Sequence, residues 1–367
     1  MRTGNIIDYR MVKVILLQPD LADYRVETYN HINDHYDLTV AYTHKDKTKA
    51  TCNFKKQKLS VKNVGPFIFV KGLKKLTNQY DVVILMSDLH YPQYCWMPAK
   101  KRVFKVLTWG IGFRVSYTKP FVTDRKHVFM DKITQFVMSK CDANILYMAK
   151  AKEFWKGTSL RTDNIFVAPN TTTVANISFE PALKKNFLFV GTLYKGKGLD
   201  LLLNSYAEVV KETKTYTRLV IVGDGTERSM LEAQAKQLGI SEKVDFRGAI
   251  YDETILAKEF QQALICISPT QGGLSVPKSM GYGVPFIVRK DAITGGEIYH
   301  ITPDENGIMY EKDGDLKVIM KDAIENPSKY VEMGRKAKDY YDNAATPYHM
   351  AQGVIDAIEY VLKHANT

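Results

Sequence analysis

SPTQGGLSVPKSMGYGVP, residues 268–285, is the stretch of sequence that decides the fold. An apolar run at 264–267 precedes it and another at 286–288 follows it, and both have the composition of buried strands. Two adjacent glycines stand just before a predicted helix, and Gly-Val-Pro ends that helix ahead of the second strand. This strand, glycine-rich turn, helix and strand are typical of a phosphate site in an α/β protein. Backbone N–H groups at the helix N-terminus face the anion there.

Apolar runs of this kind recur along the whole chain, with amphipathic stretches between them. They predict strands at 12–17, 38–42, 82–85, 103–108, 143–147, 165–168, 187–190, 219–222, 243–246, 264–267, 286–288 and 307–309. Helical patterns lie at 25–35, 199–212, 227–238 and 316–325. Continuous apolar strands that alternate with helices indicate parallel sheets covered on both faces. The two series of strands therefore predict two doubly wound domains.

The boundary between these domains is expected near 170–185, where prolines interrupt a polar segment. Residues 1–175 are assigned to an N-terminal Rossmann-like domain and residues 176–347 to a C-terminal one. The amphipathic final segment predicts a helix within 348–367 that packs back on the first domain.

Composition excludes several classes of protein. Of 367 residues, 45% are hydrophobic and 25% charged, as in soluble globular proteins. No run approaches the roughly 18 apolar residues of a membrane-spanning helix, and no signal peptide is expected. The four cysteines are scattered without C-x-x-C spacing, which argues against a disulfide framework or a zinc site and fits a reducing cytosol.

The net charge of +11 is unevenly placed. Residues 1–175 carry 28 Lys and Arg against 14 Asp and Glu, whereas the remainder carries 23 against 26. Such a basic half suggests an anionic partner: membrane lipid, a lipid-linked phosphate or nucleic acid. A solvated, lysine-rich surface would produce the same excess of positive charge. The basic stretch 45–62 has one aromatic residue, Phe54, so stacking on single-stranded nucleic acid is not favoured. Lysines beside the apolar segment 67–70 suit a membrane interface, unless that segment belongs to the core.

Residues 187–200, FLFVGTLYKGKGLD, run from a strand through Gly191 into a loop with Lys195 and Lys197. A lysine in such a loop neutralises a diphosphate as a point charge. The spacing is not that of a Walker motif. Residues 219–225, LVIVGDG, place a second glycine turn at the carboxyl end of the next strand.

Taken together and in order, these segments resemble the family 4 glycosyltransferases, which have the two-domain GT-B fold. The resemblance covers most of the chain and is densest over 187–310. Residues 189–198 look like the family's loop for the donor pyrophosphate, 244–250 like the segment that holds the nucleobase, and 268–285 like the signature that holds the donor sugar and diphosphate. The resemblance assigns donor binding to Gly191, Thr192, Lys195, Gly223, Asp224, Gly225, Arg228, Ala249, Ile250, Gly272, Gly273, Leu274 and Ser275.

The signature departs from the family in its acidic positions. The family usually has two glutamates eight positions apart, the first near the donor sugar and the second near the ribose. Here the first falls within 269–271, where Gln271 is the candidate, and the second falls on Lys278. Lysine only donates hydrogen bonds, so Lys278 either adds positive charge near the phosphates or is a surface residue of its helix. Thr192 replaces the family's arginine, which leaves Lys197 as the basic match.

On the acceptor side, the family often places a histidine after the strand that ends near 108. The segment beginning at Trp109 has isoleucine there, so His90, which follows Asp88 at another strand end, is the alternative candidate. An isolated histidine can also be purely structural.

The first loop, residues 18–25, resembles the Tyr-Arg variant of bacterial polysaccharide transferases. Arg25 is therefore expected to meet donor phosphate or an acceptor, and Tyr24 and Trp109 are expected on the acceptor side. Asp20 and Asp23 are expected to orient sugar hydroxyls, unless Asp23 simply caps the next helix.

The resemblance implies a retaining, hexosyl-type glycosyltransferase that uses a UDP- or GDP-sugar and requires no metal or further cofactor. Its acceptor would be a lipid-linked glycan or oligosaccharide of capsule, O-antigen lipopolysaccharide or exopolysaccharide. The protein would be cytoplasmic, with its basic half on the inner face of the membrane. Two alternatives remain: a non-catalytic nucleotide-sugar-binding protein of the same fold, favoured by the missing acids, and a nucleic-acid-binding protein that uses the basic half. An NAD enzyme is not expected, because no G-x-G-x-x-G follows a strand.

Overall fold

A computed structural model of the protein describes residues 11–112 and 128–364. These residues form two compact units. The first unit contains 11–112, 128–170 and 347–364, and the second contains 171–346. The chain thus leaves the first unit at Asn170 and returns to it at Pro347.

Most of the strands are the continuous apolar runs of the sequence. They are β1 (Lys13–Gln18), β2 (Asp37–Tyr42), β3 (Lys55–Lys58), β4 (Val61–Val64), β5 (Phe67–Val70), β6 (Val82–Met86), β7 (Lys105–Gly110), β8 (Ala143–Leu146), β9 (Ile165–Val167), β10 (Asn186–Val190), β11 (Leu219–Val222), β12 (Val244–Gly248), β13 (Ala263–Ile267), β14 (Gln271–Gly272), β15 (Phe286–Arg289), β16 (Ile293–Thr294) and β17 (Gly307–Tyr310).

The helices between them bury apolar faces against the sheets. They are α1 (Val26–Asn33), α2 (Leu73–Thr77), α3 (Pro92–Trp96), α4 (Val128–Lys140), α5 (Ala149–Phe154), α6 (Leu199–Thr213), α7 (Arg228–Gln237), α8 (Glu253–Gln262), α9 (Ser275–Gly281), α10 (Asp313–Glu325), α11 (Pro327–Ala344) and α12 (Pro347–Lys363). The four helices predicted at 25–35, 199–212, 227–238 and 316–325 are present, with ends that shift by at most three residues, and α12 is the helix predicted within 348–367.

The first unit has a parallel sheet in the order β3-β2-β1-β6-β7-β8-β9. The direction of winding reverses between β1 and β6, so the loops that follow these two strands border the switch point. Helix α12 belongs to this unit. Its apolar face, which includes Met350, Val354 and Ile358, is buried with residues of β1, β7 and β8.

The second unit has a parallel sheet in the order β12-β11-β10-β13-β15-β17. Its winding reverses between β10 and β13, which places the ligand crevice of a doubly wound fold at the carboxyl ends of these two strands. A short parallel pair, β14 and β16, extends beyond this edge. The prediction of two doubly wound sheets is confirmed.

The loops at this edge of the sheet pack closely against one another at Gly223. Its φ is +151°, and a β-carbon there would lie 1.8 Å from the carbonyl oxygen of Gly191. Its N–H donates to the carbonyl of Gly248 at 2.8 Å. Only glycine allows the turns after β10, β11 and β12 to approach this closely.

The segment at 67–70 is neither wholly core nor wholly surface. It forms β5, which pairs with β4 in an antiparallel hairpin. Val70 is buried, whereas Phe67 is 44% exposed. Within the described residues, no helix is long and apolar enough to cross a membrane.

Candidate functional site

Three loops border the switch point of the second sheet, and hydrogen bonds join them. They follow β10, β13 and β15. The Thr270 hydroxyl donates to the carbonyl of Gly196 at 2.7 Å, which ties the second loop to the first. The Ile293 N–H donates to the carbonyl of Thr270 at 2.9 Å, which ties the third loop to the second. The segments predicted to hold the donor pyrophosphate and sugar therefore lie side by side.

Lys197 is the lysine that the structure turns inward. It ends a short 3-10 turn that stops at Gly198, where φ is +66°. A β-carbon on Gly191 would lie 3.7 Å from the Lys197 Nζ, so the ammonium sits against the turn that follows β10. Burial lowers the pKa of Lys197 to about 8, and the charge of Glu297 opposes this shift. Lys195 and Thr192 are exposed.

Glu297 is a residue of the site to which the sequence motifs assigned no role. Its side chain is buried, and Oε2 accepts hydrogen bonds from the Gly295 N–H at 2.9 Å and the Thr294 hydroxyl at 3.1 Å. These bonds fix a carboxylate close enough to Lys197 to favour its charged form. The signal in the sequence was Gly-Gly-Glu at 295–297, directly after a strand.

Gln271 lies beside the lysine loop. It is in β14, and its Oε1 accepts a hydrogen bond from the Tyr194 hydroxyl. The ring centroid of Tyr194 is 5.8 Å from the Lys197 Nζ. Gly272 is also required here, because a β-carbon at this position would lie 2.3 Å from Ile298. The neutral amide of Gln271 thus occupies the position where an acid was expected.

The turn into α9 carries Gly273, Leu274 and Ser275. All three residues are partly buried, and the Val276 N–H donates to the Gly273 carbonyl at 2.9 Å. Among the described residues, no side chain caps the start of α9. The predicted role of these backbone amides toward a phosphate stays a prediction.

Lys278 has a partner that the sequence did not identify. Its Nζ lies 2.8 Å and 2.7 Å from the two carboxylate oxygens of Glu253 in α8. The Tyr282 hydroxyl donates to the same carboxylate. Only 18% of the Lys278 side chain is exposed. Lys278 is therefore not a free cation directed at phosphates, and it is not a solvated surface lysine.

The turn after β11 is stabilised by Asp224, whose Oδ1 accepts a hydrogen bond from the Gly225 N–H at 2.7 Å. Arg228 lies 3.5 Å from the other oxygen of Asp224 and donates to Glu232 at 2.9 Å. Ala249 and Ile250, the candidates for the nucleobase, follow β12 at the same edge of the sheet, the first exposed and the second partly buried.

In the first unit, the loop after β6 holds Asp88 and His90 together. The distance from His90 Nδ1 to Asp88 Oδ1 is 2.7 Å, and the His90 N–H donates to the same oxygen at 2.9 Å. The imidazole is 65% exposed. A carboxylate thus orients a histidine that solvent reaches, as catalytic or ligand-binding histidines require.

Asp20 and Asp23 bind the segment that follows β2. Asp20 accepts from the Lys45 N–H and pairs with Lys47, both at 2.9 Å. Burial raises the pKa of Asp20, but these hydrogen bonds outweigh burial and lower it overall. Asp23 accepts from the N–H groups of residues 49 and 50 at 2.5 Å and 2.9 Å. The alternative that Asp23 caps α1 is wrong, since no side chain caps that described helix.

Arg25 lies inside the first unit, where it is 6% exposed. Its guanidinium is 2.5 Å from Asn170 Oδ1, and its Cζ is 5.2 Å from the ring of Tyr24 and 5.6 Å from that of Trp109. Burial alone lowers the pKa of Arg25, yet the neighbouring tyrosines raise it overall. Trp109 is 2% exposed and Tyr24 is 41% exposed. Tyr24 is thus the member of this group that presents the larger surface to a ligand.

No group of three or more His, Cys, Asp or Glu side chains among residues 11–112 and 128–364 could hold a metal ion.

In comparison with known proteins, the family match lies within the second unit. Residues 172–340 match the family model "Glycosyl transferases group 1". An uncharacterized glycosyltransferase of Haemophilus influenzae is 27% identical over 206 residues, which are 55% of this chain and 57% of that protein. One of Methanocaldococcus jannaschii is 32% identical over 136 residues, which are 36% of this chain and 33% of that protein. The chain thus spans less than two thirds of either relative.

Solved structures share the whole fold at low sequence identity. HepE of Anabaena in complex with UDP has a TM-score of 0.68 and 12% identity, covering 95% of this chain and 100% of that one. A glycosyltransferase of Rickettsia africae has a TM-score of 0.69 and 13% identity over 97% and 100%. WaaB, a lipopolysaccharide outer core galactosyltransferase, has a TM-score of 0.68 and 16% identity over 95% and 99%. The chain therefore has the GT-B fold.

Proposed function

We propose that the protein is a retaining glycosyltransferase of family 4. It transfers a hexosyl group from a UDP- or GDP-sugar to a lipid-linked glycan in the assembly of a bacterial surface polysaccharide. The match of residues 172–340 to a glycosyltransferase family supports this proposal. So do the fold neighbours, among them HepE in complex with UDP-glucose and two enzymes of lipopolysaccharide synthesis.

The observation that carries the proposal is the position of Lys197. A partly buried ammonium with a lowered pKa lies at the switch point of a doubly wound sheet, with a buried carboxylate nearby. Burial makes this charge costly in the absence of an anionic ligand. A diphosphate held in the crevice between the ends of β10 and β13 would supply further negative charge beside this ammonium.

In the proposed reaction, the bond between the anomeric carbon and the β-phosphate oxygen breaks. The acceptor oxygen then bonds to the same face of that carbon, and its proton passes to the departing phosphate. Lys197 stabilises the negative charge that develops on the diphosphate, which is usually the largest catalytic contribution. The charge of Glu297 favours the protonated form of Lys197, and no metal is needed for this role.

Two assays test the function. In a thermal-shift panel of UDP, GDP, ADP and their sugars, we expect one nucleoside diphosphate to raise the melting temperature of the protein. Transfer of radiolabelled sugar from the matching donor to lipid extracts would then establish the reaction. Binding without transfer or donor hydrolysis would instead support the non-catalytic alternative, which the replacement of both signature acids by Gln271 and Lys278 favours.

The affinity for the nucleoside diphosphate should decrease as the pH rises. Protonated Lys197 attracts the diphosphate and neutral Lys197 does not, so binding is linked to proton uptake near its pKa of about 8. The ligand's own phosphate ionisation, with a pKa near 6, is already complete. Between pH 7 and pH 9 we expect Kd to rise about tenfold by calorimetry. Lys197→Met should abolish this dependence, and a pH-independent Kd in the unmodified protein would contradict the assignment.

We also propose that the first unit docks on an anionic membrane through α4. Phe129 and Phe136 are 74% and 52% exposed on this helix and share one face with the exposed Lys132 and Lys140. Beside this helix lies the turn at 97–99, which is followed by Lys100, Lys101 and the 84% exposed Val103. Aromatic side chains flanked by lysines suit a membrane interface with anionic lipid.

Charge reversal tests this surface. Because each lysine contributes about 1 kcal/mol, Lys132→Glu with Lys140→Glu should weaken binding to phosphatidylglycerol vesicles by at least about thirtyfold. The matched control reverses two exposed lysines of the second unit, Lys211 and Lys236, and should have little effect. Equal losses in both double variants would show general electrostatic attraction and no specific docking surface.

A further inference from the structure

We propose that Glu253 recognises the ribose hydroxyls of the nucleoside diphosphate, and that Lys278 and Tyr282 hold its carboxylate in position. This inference rests on the proposed function of the second unit. It adds to the site a residue that none of the sequence motifs contains.

The fold brings Glu253 against a helix that begins at the switch point of the sheet. Glu253 begins α8, which follows β12 at the edge of the sheet. Its carboxylate, however, bonds to Lys278 of α9, and α9 follows β13, one of the two strands that border the switch point. Helices α8 and α9 also share a buried cluster that includes Phe260 and Met280. The carboxylate is therefore held against α9, the helix that begins beside this switch point.

The remaining hydrogen-bonding capacity of Glu253 fits a hydroxyl donor. A carboxylate has about four acceptor sites. Lys278 uses one on each oxygen, and Tyr282 uses a second on Oε1. The Glu253 side chain is 38% exposed, so Oε2 can still receive a ligand donor. Phosphates only accept hydrogen bonds and are repelled by a carboxylate, whereas the ribose of a nucleoside diphosphate offers two hydroxyls.

The two partners fix the carboxylate before any ligand binds. The Tyr282 hydroxyl accepts a hydrogen bond from the Ala175 N–H at 2.9 Å while it donates to Glu253. Its ring stacks on Phe260 with a centroid distance of 4.9 Å. Lys278 supplies the compensating positive charge. A side chain that is held in this way loses little conformational entropy on binding, which favours specificity for the hydroxyls.

The experiment compares UDP, or whichever of GDP and ADP stabilises the protein in the thermal-shift panel, with its 2′,3′-dideoxy analogue. Calorimetry should show that the unmodified protein binds the hydroxylated nucleotide at least about tenfold more tightly, which corresponds to about 1.4 kcal/mol. In Glu253→Gln this ratio should fall to between one and two, while the affinity for the dideoxy analogue stays unchanged. Glu259→Gln is the matched control, because Glu259 lies on the same helix and faces Arg247; its ratio should stay unchanged.

The outcomes separate this inference from the proposed function. If Glu253→Gln keeps the unmodified ratio, or weakens both nucleotides equally, Glu253 does not read the hydroxyls and the inference is wrong while nucleotide binding stands. If no nucleoside diphosphate binds the unmodified protein, both the proposed function and the inference are wrong.

Discussion

Replacing Lys197 by alanine should reduce sugar transfer by about two to three orders of magnitude while the protein stays folded. The side chain is the charged group that the structure places against the turn after β10, at the switch point of the second sheet. Removal of one preorganised donor to a developing anion costs about 2.7–4 kcal/mol in comparable sites. The change should lower kcat more than it weakens donor binding, because the charge on the diphosphate grows as the sugar leaves.

Lys195→Ala is the comparison variant, and it also tests the donor binding that the resemblance assigned to Lys195. Lys195 is in the same 3-10 turn, two residues away, but its side chain is exposed. We expect its removal to change transfer by less than about threefold, since exposed charges are screened by water and salt. Circular dichroism and melting temperature should show that both variants fold. Near-normal transfer by folded Lys197→Ala would remove Lys197 from the mechanism.

The central strands could be predicted because each is a continuous apolar run between turn residues. All twelve predicted strands occur in the structure, with bounds that differ by at most two residues. Strand β3 was missed because it is Lys-Lys-Gln-Lys at the edge of the sheet, where solvent replaces the apolar cover. Strands β14 and β16 were missed because two residues carry no periodicity, and only their pairing with each other defines them.

In the candidate site, too, local features could be predicted and contacts between distant residues could not. Glycine turns follow local rules, so Gly191 and Gly223 could be identified from the sequence. Lys197 was distinguished from Lys195 only by the resemblance to the family. Partners distant in the sequence could not: Glu253 lies 25 residues from Lys278, and nothing in the spacing joins them. Asp23 precedes a helix and resembles a cap, yet it bonds to residues 26 and 27 positions later. Local sequence indicates which groups are available, and the tertiary fold decides which of them pair.

Gly353→Ala should destabilise the first unit although alanine is the better helix former. Gly353 is buried in the middle of α12, and a β-carbon there would lie 2.1 Å from the carbonyl oxygen of Val167 in β9. That atom belongs to the backbone of the sheet and cannot rotate away. The helix must therefore move outward and loosen the packing of Val354 and Ile358. Such overpacking costs about 1–3 kcal/mol or more, which exceeds the gain of up to about 1 kcal/mol from helix propensity.

Gly314→Ala provides the control, since Gly314 is also within a helix but a β-carbon there would meet nothing within 4 Å. It should leave the stability unchanged or raise it by up to about 1 kcal/mol. Calorimetric melting should show a transition of Gly353→Ala that is lower by about 2–8 °C, because a net loss of about 1–2 kcal/mol remains and 1 kcal/mol shifts a unit of this size by about 2–4 °C. If the two variants melt alike, α12 is not held against β9 at this distance. If the melting temperature of the first unit falls while the nucleoside diphosphate still raises that of the second unit, the contact between α12 and β9 stabilises the first unit and is not needed for nucleotide binding.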